Sequence, residues 1–337
     1  MMVQKYPLYL KKAVTLQANC IKKMKKAVLA TIFCLSSPFL WAQESQTAYN
    51  FLRLPVSAHA AALGGDNISI TDNDASMAFH NPALLSGVTD KTINLNFMSY
   101  MEGAKTASAS FTKALRERAT WFAGAQFIDY GSMKQTTADG EILGDVRAKD
   151  IMLCCAFEYN LTNSIPGGIT AKFITSDLAG YNAMAIGVDL GLNYVNDESG
   201  LSVSAVARNL GGQIKAYDED FESMPIDLQL GVTKRLMQSP FRFSLTLTRL
   251  NDWHGRFANH IVVGADILLS DNIYLAGGYN FRRADEMKID DSEGSSSHGA
   301  GLSFGGGIQL NRLKLQLAYG KYHVSTSSIN INLSLNL

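Results

Sequence analysis

The sequence predicts an all-β fold, a transmembrane antiparallel β-barrel of about 14 strands with a small N-terminal plug. Three observations support this prediction. After Thr92 the chain is a series of segments, each of about ten to fourteen residues, in which apolar and polar side chains alternate. The connections between these segments alternate between long and short. Residues 49–87 show no such alternation, which sets them apart from the segments that follow Thr92.

The non-alternating stretch combines a helical run with a proline motif. Small residues at 57–63 predict a short helix, and Asn81, Pro82 and Ala83 follow a polar segment. Proline removes a backbone donor that a barrel strand would need. Residues 44–90 are therefore predicted to be a plug inside the barrel.

The alternation is plainest in the last segment of the chain. Its apolar positions are Ile329, Ile331, Leu333, Leu335 and Leu337, and polar residues stand between them. Alternation alone fits two architectures, because the apolar face could be the core of a soluble sandwich or the lipid-facing wall of a barrel. A periplasmic β-sandwich enzyme therefore remains an alternative at this point.

Segment length and loop length favour the membrane barrel. The segments approach the roughly nine to eleven residues that a tilted strand needs to cross a bilayer, and an even number of strands is usual in bacterial barrels. Long connections at 130–145, 210–224 and 283–297 alternate with short turns. Residues 91–337 are therefore predicted to form an outer-membrane barrel with both termini on the periplasmic side.

The first 43 residues have the composition of a signal peptide. Four lysines between residues 22 and 26 precede an apolar run from Ala27 to Leu40, and Met24 is the predicted start. Residues 1–42 hold seven basic and no acidic residues, so the mature charge is (30 − 7) − 30 = −7. This negative charge excludes nucleic acid as a partner, since phosphates require a basic surface.

No motif predicts catalysis, a cofactor or a metal site. Ser110 and Lys113 have the spacing of a penicillin-interacting enzyme, but they lie in an alternating segment and the sequence contains no Lys-Thr-Gly. The histidines lack ligand spacing. Asp72 and Asp74 resemble a calcium loop without its glycine and distal glutamate, and are predicted to form a solvated turn. The chain is therefore predicted not to be an enzyme.

Charged residues on the polar faces of the strands are candidates for function. They are predicted to point into the lumen, where burial requires pairing or water. Two interpretations remain open, a structural ion network that holds the plug and a permeation path. The residues are Glu158, Lys172, Asp189, Arg208, Arg242, Asp266 and Lys314.

Two long loops carry acidic residues that are predicted to lie at the cell exterior. They are either solvated loops that keep the surface hydrophilic or a docking surface for a basic patch on a partner. These candidate partner-facing residues are Asp218, Glu219, Asp220, Glu222, Asp285, Glu286, Asp290, Asp291 and Glu293.

The N-terminal motifs and the strand spacing support a family resemblance. The sequence resembles the FadL-like outer-membrane barrels, whose plug contains an Asn-Pro-Ala motif, and more specifically the PorV/PorQ family of the Bacteroidetes type IX secretion system. The matching motifs are Phe51-Leu52-Arg53-Leu54-Pro55-Val56-Ser57, Ala60-Ala61-Ala62-Leu63-Gly64-Gly65 and His80-Asn81-Pro82-Ala83-Leu84-Leu85. One departure is the C-terminal Leu337, where such barrels commonly end in an aromatic residue.

The resemblance implies a non-catalytic component of the type IX attachment complex in the outer membrane. In that family such a barrel holds a PorZ-like surface protein near the sortase PorU, which PorV carries and which joins cargo to lipopolysaccharide. The alternative is a FadL-type channel for hydrophobic solutes such as long-chain fatty acids. A channel of this type predicts an apolar pocket within the barrel.

Overall fold

A computed structural model describes residues 47–115, 118–137, 139–253, 256–291, 294–297, 299–323 and 326–337. The predicted signal peptide lies outside these ranges, as do residues 44–46 of the predicted plug. Within the described ranges, no helix is long and apolar enough to cross a membrane.

The chain forms a closed antiparallel barrel of fourteen strands, which confirms the predicted fold class. Alternating side chains and β-branched or aromatic residues favour the extended conformation throughout. The barrel strands are β1 Thr92–Ser99, β2 Lys105–Leu115, β3 Ala119–Thr136, β4 Ile142–Thr162, β5 Ile165–Leu178, β6 Tyr181–Asn196, β7 Leu201–Lys215, β8 Asp227–Arg235, β9 Phe241–Leu247, β10 Ile261–Ser270, β11 Ile273–Asn280, β14 Leu302–Leu310, β15 Leu313–Gly320 and β16 Ser328–Asn336.

The first and last strands close the barrel. β1 pairs with β16 from Thr92 opposite Asn336 to Ser99 opposite Ile329, so the barrel has no edge strand. Each other strand pairs with its neighbours in sequence, except that β11 pairs with β14. The intervening segment holds helix α2 (Phe281–Glu286) and a separate hairpin of β12 (Ile289–Asp291) and β13 (Gly294–Ser296).

The outer surface of the barrel is apolar and its inner surface is mostly polar. Along β2 the outward side chains are exposed and the inward ones buried, in strict alternation over most of the strand. Large apolar residues such as Trp121 and Phe304 are 50% and 59% exposed on the outer face. Exposure of such an apolar surface is unfavourable in water and favourable in contact with lipid. The strands therefore span the outer membrane.

Two of the predicted long loops are shorter than the sequence suggested. β3 and β4 continue as a paired ribbon to Thr136 and Ile142, so most of 130–145 is strand. A salt bridge of 2.6 Å between Lys134 and Asp145 joins the two strands of this ribbon. β7 likewise extends to Lys215 along β6. Cross-strand pairing overrides the polar composition that predicted loops there.

The lumen contains the N-terminal segment, which is built from short helical turns. These are a 3-10 helix at Asn50–Arg53, helix α1 at Ala58–Ala62, and 3-10 helices at Ala75–Phe79 and Pro82–Gly87. Short polar side chains begin the last three, because Ser57, Asp74 and Asn81 accept hydrogen bonds from backbone N–H groups of the following turn. Two further 3-10 helices, Met101–Gly103 and Phe257–His260, lie outside the lumen segment.

Candidate functional site: the plug and the charged lumen

The Asn-Pro-Ala motif packs against glycines of the barrel wall. The Asn81 side-chain oxygen accepts a hydrogen bond from Ala83 N at 2.9 Å, and its amide donates to Ile68 O at 2.9 Å. A β-carbon at Gly168 would lie 2.5 Å from Pro82 C, and one at Gly191 would collide with the Asn81 amide oxygen. Only glycine allows this close approach of plug and wall.

Helix α1 approaches the opposite wall in the same way. A β-carbon at Gly305 would lie 2.8 Å from the methyl group of Ala62, and one at Gly264 2.7 Å from the Leu63 side chain. Glycine at these positions lets the plug and the neighbouring strand come close, and Gly305 meets both. The plug is thus in close contact with two sides of the barrel.

The main ion cluster joins the plug to β9 and β10. Arg242 binds Asp72 through two nitrogens, at 2.6 and 3.0 Å, and its Nε donates to Asp266 at 2.8 Å. His59 Nε2 lies 2.8 Å from the other Asp266 oxygen, and His59 Nδ1 lies 3.2 Å from Asp72. Paired charges of this kind tolerate burial because each stabilises the other. The His59 ring also stacks on Tyr274, with 4.1 Å between ring centroids.

Asp72 and Asp74 are not the solvated turn that the sequence predicted. Asp72 takes part in the Arg242 cluster, and Asp74 is 1% exposed and accepts a hydrogen bond from Ser57 Oγ at 2.9 Å. The prediction was wrong because a polar run with aspartates is usually solvent-exposed, whereas this one lies inside a barrel. Nothing local in the sequence indicates the partner, since Arg242 follows Asp72 by 170 residues.

A second cluster lies in the wall between β5 and β7. Lys172 Nζ lies 2.6 Å from Asp189 and 2.8 Å from the Asn209 side-chain oxygen. Asn209 has a left-handed backbone (φ 57°) beside a β-bulge, and its N–H donates to Asp189 at 2.7 Å. Its neighbour Arg208 donates to Leu52 O of the plug at 2.9 Å.

All seven predicted lumen charges are buried on the inner face of the barrel. Arg208, Arg242, Asp266 and Lys314 contact the plug directly, the last through a 3.0 Å hydrogen bond from its Nζ to Asn73 O. Lys172 and Asp189 pair with each other. Glu158 joins neither group, and its carboxylate oxygens have no hydrogen-bond partner among the described residues.

One side of the lumen is apolar. Inward-facing side chains of β3 to β6 form a core cluster with the plug, in which Phe79 meets Phe122 edge to face at 5.2 Å. The wall contributes Phe122, Ile128, Met152, Cys154, Ala156, Ile174, Ala183 and Ala185, and the plug contributes Tyr49, Phe51, Leu52, Val56, Phe79 and Leu85. The plug's aromatic residues therefore cover an apolar wall.

The predicted acidic loop residues separate into two groups. Asp218, Glu219, Asp220 and Glu222 are exposed on the loop between β7 and β8. Asp285 and Glu286 belong to α2 and lie close to basic groups, since Asp285 is 2.6 Å from Lys288 and Glu286 is 3.8 Å from Arg282. Asp290 and Asp291 lie in β12, of which the backbone alone is described. Glu293 lies outside the described residues.

Sequence reasoning considered the histidines only as metal ligands and missed their roles in the plug. His59 is part of the ion cluster, and His80 Nε2 accepts a hydrogen bond from Val56 N at 3.3 Å. In the described part of the chain, no group of three or more His, Cys, Asp or Glu side chains could hold a metal ion. The motif His80-Asn81-Pro82 was a signal for packing, and it could have indicated a buried histidine.

The environments of the two plug histidines shift their pKa values in opposite directions. Burial opposes the charged form of His59, but Asp266 and Asp72 outweigh it and raise its pKa above 6.5. Burial, together with repulsion from Arg208 and Lys172, holds the pKa of His80 well below 6.5. The surroundings of His59 therefore favour its charged form, and those of His80 favour its neutral form.

We expect the His59→Gln variant to lack the decrease in stability that the wild type shows above pH 6.5, and the His80→Gln variant to lack the decrease that the wild type shows below it. His59 stabilises fully below its unfolded pKa of about 6.5, and this contribution is lost as pH rises through the raised folded pKa. His80 acts in the opposite sense, because protonation of the unfolded chain below about pH 6.5 favours unfolding. Urea unfolding in lipid vesicles between pH 5 and 9 measures both effects. Parallel curves for wild type and His59→Gln would contradict the assignment.

The fold and the lipid-facing surface define an outer-membrane β-barrel with a plugged lumen. The toluene transporter TodX of P. putida is similar in structure, with 16% sequence identity, a TM-score of 0.56, and coverage of 85% of this chain and 99% of that chain. The CymD monoaromatic hydrocarbon channel has 13% identity, a TM-score of 0.54, and coverage of 84% and 97%. A Pseudomonas aeruginosa FadL homologue has 10% identity, a TM-score of 0.47, and coverage of 83% and 97%. No family model and no curated protein matches the chain.

Proposed function

We propose that the barrel is a conduit for hydrophobic solutes that the plug keeps closed. The observation that carries this proposal is the apolar wall of β3 to β6, which the plug's aromatic residues cover. Elsewhere the inner face is polar, as at Asn94, Asn96 and Asn332, which hydrogen-bond to one another. If the plug moved away, the apolar wall would become a surface on which a hydrophobic solute could bind.

The similar solved structures support the same proposal. TodX is described as a toluene transporter and CymD as a monoaromatic hydrocarbon channel, and both are similar in structure to this chain. Since fold alone does not determine function, the proposal depends on the apolar wall of this chain. The structural similarity adds that barrels of this fold transport hydrophobic solutes in other proteins.

The plug segment that covers the wall begins at the long-loop end of the barrel. Ala48 N donates to Ser223 O at 3.0 Å, and the Gln213 side chain donates to the Tyr49 hydroxyl at 3.1 Å. Phe51 follows directly and is 2% exposed. A movement of this loop would therefore act first on the residues that cover the apolar wall.

We expect cells that lack the gene to take up toluene or long-chain fatty acids more slowly, and the wild-type gene to restore uptake. Phe51→Ala is expected to increase uptake severalfold, because it removes a fully buried ring between plug and wall. Phe97→Ala, which changes the same side chain on the lipid-facing surface, is the matched control and leaves uptake unchanged. A hydrophilic sugar measured in parallel reports general leakage. Uptake that is equal in all strains would refute the conduit.

A second candidate function rests on the exposed acidic loop. Phe221 is 66% exposed and stands between acidic residues at 218–220 and 222, which are exposed as well. An exposed aromatic ring beside charges of one sign is a typical contact for a basic partner surface. The motif resemblance suggests an attachment component of the type IX system, which holds a PorZ-like protein near PorU and PorV, where cargo is joined to lipopolysaccharide.

Localisation of the surface partner distinguishes the two candidates. For an attachment component, gene deletion releases the PorZ-like protein into the medium, and Phe221→Ala weakens its co-purification with the detergent-solubilised barrel. For a conduit alone, that protein stays at the cell surface while hydrophobic-solute uptake falls. A partner that remains at the surface of the deletion strain would refute the attachment role.

A further inference from the structure

Five arginines lie close together at the long-loop end of the lumen. They come from the plug, the wall and the long-loop segments, and they interact electrostatically with one another or with Asp66: Arg53, Arg208 of β7, Arg249 after β9, and Arg282 and Arg283 of α2. The Arg249 N–H donates to Asp227 at 2.7 Å, and Asp227 is the β8 register partner of Arg208. Arg249 and Arg282 each lie 3.8 Å from the same Glu286 oxygen.

Four of these arginines have a buried nitrogen with no hydrogen-bond partner among the described residues. The atoms are Nε of Arg53, Nε of Arg208, Nη2 of Arg282 and Nε of Arg283. Arg208 and Arg283 are only 4% and 8% exposed as whole residues. Buried N–H groups without a partner cost free energy, and the cost is larger for charged groups. Four such donors in one region are thus available to a ligand that accepts hydrogen bonds.

The carboxylates nearby do not neutralise the cluster. Asp66, Asp227, Asp252 and Glu286 give four negative charges against five positive ones, a formal excess of 5 − 4 = +1. Burial and repulsion from Asp227 also raise the pKa of Asp66 despite the arginines beside it.

The cations of the cluster repel one another. Burial, followed by repulsion from Arg249, lowers the pKa of Arg53 to about 10, and the same two causes lower that of Arg282. A bound anion would reverse this repulsion, since an opposite charge favours the charged form of each guanidinium.

We propose that this cluster binds a phosphate group. Guanidinium groups bind phosphate through paired N–H donors. The free donors belong to three separate parts of the molecule, the plug, the wall and α2, and they number four. A phosphate accepts hydrogen bonds on three or more oxygens in three dimensions, whereas a planar carboxylate offers two. The ligand is inorganic phosphate or a phosphorylated lipid headgroup, and the proposal holds whether or not the barrel conducts.

The ion pairs also change the charge expected of the α2 segment. The sequence predicted for it either a solvated acidic loop or an acidic docking surface, but Glu286 is balanced by Arg249 and Arg282, and Asp285 by Lys288. A phosphate bound here would join the plug residue Arg53 to the loop residue Arg282. Its binding would therefore stabilise the closed position of the plug.

Titration of the full mature protein in detergent with inorganic phosphate tests the proposal. We expect one phosphate per chain, competition by sulfate, and at least tenfold weaker binding in Arg282→Gln. Arg53→Lys keeps the positive charge but loses the planar fork, so it also weakens binding while the barrel remains folded. Arg256→Gln is the matched control, because this arginine is on the same side, is 75% exposed and lies 3.8 Å from Asp285. We expect the Arg256→Gln variant to bind phosphate with the wild-type affinity.

A second arm identifies the source of the phosphate. For the protein in nanodiscs, binding of lipid A is compared with binding of lipid A from which the phosphates have been removed. Binding that requires both the lipid phosphates and Arg282 assigns the site to a lipid headgroup, and binding of inorganic phosphate alone assigns it to the free ion. The proposal is overturned if neither probe binds, or if Arg256→Gln weakens binding as much as Arg282→Gln.

Discussion

Replacing Gly168 by alanine is expected to destabilise the folded protein by about 3 kcal/mol and to displace the Asn-Pro-Ala segment from the wall. The added methyl group would lie 2.5 Å from Pro82 C and 2.7 Å from Ala83 N, and both are backbone atoms that cannot rotate away. Asn81 would lose its position beside Gly191 at the same time. Urea unfolding of the refolded barrel in lipid vesicles measures the loss, and protease accessibility of residues 47–90 measures the displacement.

Gly212→Ala is the matched control for this experiment. It is the same substitution in another barrel strand, at a position where a β-carbon meets no atom within 4 Å. We expect a change of less than about 1 kcal/mol, since the main effect is on the unfolded chain. Equal stability of the Gly168 and Gly212 variants would mean that the plug does not depend on contact with β5.

Replacing Arg242 by glutamine is expected to cost about 3 to 5 kcal/mol, the largest effect of any single charge change in the lumen. Among the described arginines and lysines, only Arg242 contacts both Asp72 and Asp266, and the Asp266 side chain is 1% exposed. Without Arg242 these carboxylates keep only His59, so one buried negative charge is uncompensated. Equilibrium unfolding at pH 7 measures the cost, and the pH dependence should steepen because protonation of a carboxylate then becomes favourable.

Lys134→Gln provides the control for the loss of an ion pair. Its salt bridge to Asp145 is as short as that of Arg242 to Asp72, at 2.6 Å, but its side chain is 64% exposed. Surface pairs of this kind contribute at most about 1 kcal/mol. If the two variants lose similar stability, burial is not what makes the Arg242 cluster important. A double variant with Asp266→Asn should recover part of the Arg242→Gln loss, because it removes the unpaired charge.

These two sites hold the plug on different sides of the lumen. The Asn-Pro-Ala segment packs on β5 and β6 through shape, and the turn at Asp72 binds β9 through charge. The residues at 47–54, by contrast, contact the long-loop end and cover the apolar wall. A conduit that opened by moving the plug could therefore release the first residues and keep the remaining contacts.

The period-two alternation was sufficient to predict the barrel and its inner surface. It predicted about fourteen strands and the inward direction of Glu158, Lys172 and Asp189, because alternation is a local property that fixes which face each side chain occupies. It also set residues 49–87 apart from the strands. The alternation did not predict that β3 and β4 extend into a ribbon, because the strands that pair there have a polar sequence that is typical of a loop.

Local patterns in the chain therefore specify the barrel, the direction of its side chains and the segment that lies inside it. The partners within the lumen became visible only in the folded molecule: His59 with Asp266 across 207 residues, Arg242 with Asp72 across 170, and the arginines around Asp66. The physical reason is that strand periodicity is encoded locally, whereas these pairs arise only when the barrel closes and its register sets which residues face the plug.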